Sequence, residues 1–176
     1  MNRRDAIQHV ALLLGSMISA PTMAGVMGEK INLGESVPVT AEQEAFLADL
    51  ADVIIPTTTT PGAKAAGVEK FIVRVMRDCY PKDDQEKFYS GLTQLNTESQ
   101  TKFSKSFVEL NNAQKIDMVK ATTTTNKPFF LRMKELTVTG YFTSEIGATK
   151  ALEYLPIPGR FEGCVPLKPG QKAWAL

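Results

Sequence analysis

The chain is poor in the side chains on which most reactive sites depend. Its 176 residues hold a single histidine, His9, together with two cysteines and one tryptophan. Histidine is the usual general base near neutral pH. With only His9, near the start of the chain, neither a Ser-His-Asp nor a Cys-His site is expected. Histidine-ligated haem and histidine-bearing zinc sites are equally unexpected. Two cysteines are too few for a disulfide-framework miniprotein or a four-cysteine zinc site. Bulk charge is missing as well: 20 basic and 19 acidic groups leave a net charge of +1, which gives no electrostatic footprint for nucleic acid. No apolar run reaches the roughly 18 to 20 residues of a membrane-crossing helix. The sequence has no GxGxxG, GxxxxGK[ST] or GxSxG, so a dinucleotide fold, a P-loop and a nucleophile elbow have no motif behind them. Asp83, Asp84 and Glu86 cluster, but Lys82 and Lys87 surround them. Without EF-hand spacing they read as a solvated helix start favoured by the helix dipole.

What is present begins with an address. Arg3 and Arg4 stand side by side, an apolar run follows from Val10 to Ala20, and small residues close it at Ala20, Thr22 and Ala24. This is the order of an export signal, too short to span a bilayer. The paired arginines suggest the twin-arginine route, which exports folded proteins. Asn2 replaces the usual serine or threonine, and Ala6 stands where a bulky apolar residue is usual. The alternative is a plain amphipathic N-terminal helix. Cleavage is expected after Ala24. It would remove Arg3, Arg4, Asp5 and His9, leaving a chain of zero net charge without histidine. The resulting location is the periplasm, and the twin-arginine translocase is the first expected partner.

The rest reads as helices. Residues 25–39 carry glycines and Pro38 and no long apolar stripe, so an extended arm is expected. Thr40 with Gln43 is a capping-box pattern, followed by Phe46, Leu47, Leu50, Val53 and Ile54 at helical spacing and ended by Pro56. A second helix is expected over about residues 65–80, with Phe71, Ile72, Val75, Met76 and Cys79 inward. A third covers about 82–95, with Phe88, Leu92 and Leu95 inward; Phe103, Phe107 and Leu110 continue its period across a more polar stretch. Asn111 with Gln114 makes a second capping box before Ile116 and Val119. Thr57–Thr60 and Thr122–Thr125 read as polar loops, since β-branched threonines gain little in a helix. A helix opening at Lys127-Pro128 carries Phe129, Phe130, Met133 and Leu136, and Gly140 breaks its pattern. A short helix over about 144–154 precedes a proline- and glycine-rich segment, residues 155–176, unsuited to regular helix or central strand. The expected fold is all-α: an irregular helical bundle spanning 40–154 with extended arms at both ends.

The last segment holds Phe161 and Trp174, with Tyr154 just before it, on a backbone that a solvated tail would not furnish with aromatics. It either packs on its own bundle or straps a partner, where aromatics and arginine carry contact energy. Cys79 lies on an apolar stripe and Cys164 in the tail. A Cys79–Cys164 bridge would close a loop of roughly 85 residues and contribute about 4 to 5 kcal/mol in the chain-entropy view. The alternative is a bond from Cys164 to another subunit.

Two stretches carry a family resemblance. One is Phe46-Leu47-Ala48-Asp49-Leu50-Ala51-Asp52-Val53-Ile54-Ile55-Pro56 with Thr60-Pro61-Gly62-Ala63-Lys64-Ala65-Ala66-Gly67-Val68 behind it. The other is Thr139-Gly140-Tyr141-Phe142-Thr143-Ser144-Glu145-Ile146-Gly147-Ala148, followed by Pro158-Gly159-Arg160-Phe161-Glu162-Gly163-Cys164. Both resemble the gluconate 2-dehydrogenase subunit 3 family. The resemblance implies a small subunit, without catalytic residues or a cofactor of its own, of a flavin-dependent dehydrogenase acting on sugars, sugar acids or polyols. It implies FAD in a large partner subunit, a cytochrome c subunit that often takes the electrons, and an escort role in export. The partner surface is expected on Tyr141, Phe142, Glu145, Tyr154, Arg160, Phe161 and Trp174. The competing readings are a free-standing periplasmic helical ligand-binding module and a small carboxylate-based hydrolase.

Overall fold

A computed structural model describes residues 36–154 and, in the C-terminal segment, residues 157, 159, 164, 166 and 169–174. All of them belong to the second of two units into which the chain divides, Ser36–Leu176. Arg3, Arg4 and Ala24 lie outside the described residues, as do Arg160 and Phe161.

The described residues form five α-helices and no strand: α1 Ala41–Ile54, α2 Val68–Cys79, α3 Lys82–Phe103, α4 Asn112–Thr125 and α5 Lys127–Phe142. A 3-10 turn, Phe107–Glu109, joins α3 to α4, and a π-helical turn, Gly147–Ala151, follows α5. The expected all-α bundle is therefore the observed one.

The helix starts follow from local chemistry. Thr40 Oγ1 accepts from the Gln43 amide at 3.2 Å while Gln43 Oε1 accepts from the Thr40 amide at 3.0 Å. Asn111 and Gln114 make the same reciprocal pair at 2.9 and 3.2 Å. Each box satisfies amide groups that the first helical turn leaves without carbonyl partners. Asn126 closes α4 and opens α5, its Oδ1 accepting from the Phe129 amide. Pro128 sits in the first turn of α5, where a missing N–H loses nothing.

Helix α5 runs through the middle and touches all four other helices. Around it close Leu47 and Leu50 from α1, Ile72 and Met76 from α2, Phe88, Leu92 and Leu95 from α3 and Met118 from α4. Phe107 is fully enclosed and stacks on Phe46 with ring centroids 4.9 Å apart. Ahead of α1 the chain is latched: the Val37 amide donates to Gln85 Oε1 at 2.9 Å, and Gln85 Nε2 donates to the Tyr80 carbonyl at 2.8 Å. Gln85 is buried because both ends of its amide are occupied.

Four expectations need correction. Helix α3 continues past residue 95 to Phe103. Its polar second half is not a solvated extension: Asn96 Oδ1 accepts from the Phe107 amide and the Ser106 hydroxyl, both at 3.1 Å. The buried Ser99 hydroxyl donates to the Lys105 carbonyl at 3.0 Å. Thr122–Thr125 is the end of α4 and not a loop. Thr122 is buried and its hydroxyl donates to the Met118 carbonyl, so the helix itself satisfies it. Gly140 does not interrupt α5, which runs on to Phe142. The short helix expected over 144–154 is a π-helical turn of five residues.

Cys79 also differs from expectation. It lies three residues beyond the buried Met76, but the last turn of α2 has run past the core, and Arg77, Asp78 and Cys79 are all exposed. Cys79 and Cys164 are both free, exposed thiols. The internal bridge is not formed.

Candidate partner surface

The region where α5 ends is built by close backbone approaches. A Cβ on Gly140 would stand 2.6 Å from Phe71 Cδ1, so glycine there lets α5 lie directly on α2. The next residue, Tyr141, is 2% exposed, and its hydroxyl donates to the Pro61 carbonyl at 2.6 Å. Tyr141 thus serves the core and pins the loop after α1, and it presents no side chain to a partner. Tyr141→Phe keeps the ring and removes that bond; a stability loss of about 1 kcal/mol is expected, read by urea titration.

Phe142 turns outward. Its ring meets Tyr141 edge-on at 5.2 Å and it remains 40% exposed. Thr143 and Ser144 then bend the chain: the Ser144 hydroxyl donates to the Tyr141 carbonyl at 2.6 Å and accepts from the Gly147 amide at 3.0 Å. A Cβ on Gly147 would fall 1.9 Å from the Tyr141 carbonyl oxygen, so only glycine fits this fold-back. The π-helical turn that follows delivers Glu153, whose amide donates to the Ala173 carbonyl at 2.8 Å within an isolated parallel bridge to Trp174. Lys172 Nζ donates to the Lys150 carbonyl.

The C-terminal segment therefore returns to its own domain at Glu153, and its described aromatic, Trp174, still faces outward. Tyr154 and Trp174 are each more than half exposed, and Glu145 is exposed beside the bend. Of the described residues expected at a partner surface, Phe142, Glu145, Tyr154 and Trp174 lie on or beside this folded-back end. Ile157 is the most exposed large apolar side chain described and was not anticipated. The available signal was its place between Pro156 and Pro158, where no helix or central strand could bury it.

Elsewhere the ionic features are structural. Asp49 on α1 bonds Lys64 Nζ at 2.6 Å and Lys115 Nζ at 2.8 Å. The Asp49 and Lys115 side chains are only 11% and 12% exposed. Burial opposes the charge on Asp49, but the Lys115 and Lys64 ammonium groups outweigh it and hold the carboxyl below its ordinary range. Asp78 is likewise held down by the Arg77 guanidinium. These carboxylates are tied as ions, the reverse of what a general acid needs. Among the described residues no three potential ligands gather for a metal ion.

Two open grooves border the bundle. One, of about 380 Å³, is floored by Phe46 and Leu92 and edged by Glu42, Asn96 and Ser106. The other, of about 410 Å³, lies over Phe88 and Phe129. At its edge the Arg132 guanidinium covers the Tyr80 ring at 4.6 Å and donates to its hydroxyl, while Lys87 pairs with Asp84.

The profile of the family described as gluconate 2-dehydrogenase subunit 3 matches residues 41–159, which runs from the first residue of α1 into the C-terminal segment. The chain belongs to the gluconate 2-dehydrogenase subunit 3 family. No curated protein and no solved structure matches it. Membership makes this chain one subunit of a dehydrogenase complex, associated with others. The two stretches that carry the subunit 3 resemblance meet in space through the Tyr141–Pro61 bond. Asp49 and Lys64, both in the first stretch, form the ion pair that ties the loop to α1. Much of what marks this subunit 3 chain as a family member is scaffold. No described helix is long and apolar enough to cross a membrane.

Proposed function

We propose that this chain is a non-catalytic small subunit of a periplasmic flavin-dependent dehydrogenase that oxidises a sugar, sugar acid or polyol. It carries the leader for the twin-arginine translocase and escorts the folded large subunit across the inner membrane. The observation that carries the reading is the family match together with an outward-facing aromatic group, Phe142, Tyr154 and Trp174, at the folded-back end of α5. Aromatics of this kind are the usual anchors of subunit contacts.

FAD belongs to the large subunit. Among the described residues neither groove fits it, since neither has a glycine-rich turn at a helix start to cradle a pyrophosphate. The cations of the larger groove, Lys87 and Arg132, are already engaged by Asp84, Tyr80 and Glu135. No step of the oxidation is assigned to this chain. A cytochrome c subunit takes the electrons from the flavin. Arg160 and Phe161, which lie outside the described residues, are further partner contacts on this reading, and the exposed Cys164 thiol offers a bond to a partner cysteine.

The test is recovery of the exported protein through a tag on its C-terminus. A larger yellow, FAD-bearing protein should co-purify, and N-terminal sequencing should begin at Gly25. A chain that emerges alone, or one that begins at Met1 in the periplasm, would remove the escort reading.

A further inference from the structure

We draw no further inference here: the strongest candidate, the open groove of about 380 Å³ between α1, α3 and the 3-10 turn, floored by Phe46 and Leu92, is an unpartnered apolar trough, and nothing in the structure shows what covers it.

Discussion

Phe107→Ala is expected to lower the unfolding free energy by about 3–5 kcal/mol, a large part of the roughly 5–15 kcal/mol available to a domain of ordinary size. Phe107 is fully buried, stacks on Phe46 and lies beneath the Lys115 ammonium, 5.7 Å from its ring centre. Its position is held from the other side, because its amide donates to Asn96 on α3. That clamp prevents the turn from collapsing inward, so most of the ring volume would remain as a cavity. The melting temperature should fall by roughly 10 °C or more. Val108→Ala, one residue along at a position 42% exposed, should change stability by less than about 0.5 kcal/mol. Equal losses at the two positions would show that the turn does not anchor the bundle as described.

The second large effect is expected at Asp49. Asp49→Asn keeps the shape and removes the charge that two lysines share. Lys115 is then left mostly buried without its partner, whereas Lys64 can turn to water. Breaking a buried pair from one side costs about 3–5 kcal/mol, and the exposure of Lys64 reduces this to about 2–3 kcal/mol. Lys115→Met, which keeps an aliphatic stem over Phe107, should cost less. The acid limb carries a sign that can be checked. A carboxyl held below its ordinary range when folded adds stability that is fully present above its unfolded value, about 3.8. That contribution is lost as pH falls through the lower folded value. Between about pH 4 and the acid transition, wild type should therefore lose stability faster than Asp49→Asn, whose curve loses this component. Parallel curves in urea titrations across that range would show that the triad does not stabilise the fold.

Both effects concern the scaffold and not the partner surface. Tyr141 shows why the two are hard to separate in one dimension. It sits beside Phe142 in a stretch that carries the family resemblance, and two adjacent aromatics read alike. In the helix they differ by about 100°, which sends one to Pro61 and the other to solvent.

The sequence by itself determined that this is an all-α chain. Thr40 with Gln43, Asn111 with Gln114, and Pro56 and Pro81 mark boundaries through backbone chemistry that needs no distant partner. It also determined the family, because the residues of the two resembling stretches stand in unbroken order. Only the tertiary structure decided the length of α3, the helical state of Thr122–Thr125, the fit of Gly140 against Phe71 and the exposure of Cys79. In each of these cases the outcome depended on what a residue far along the chain offered: a turn amide for Asn96, packing room beside α5, or the edge of the core. Local propensity is a few tenths of a kcal/mol per residue, and such long-range contacts outweigh it.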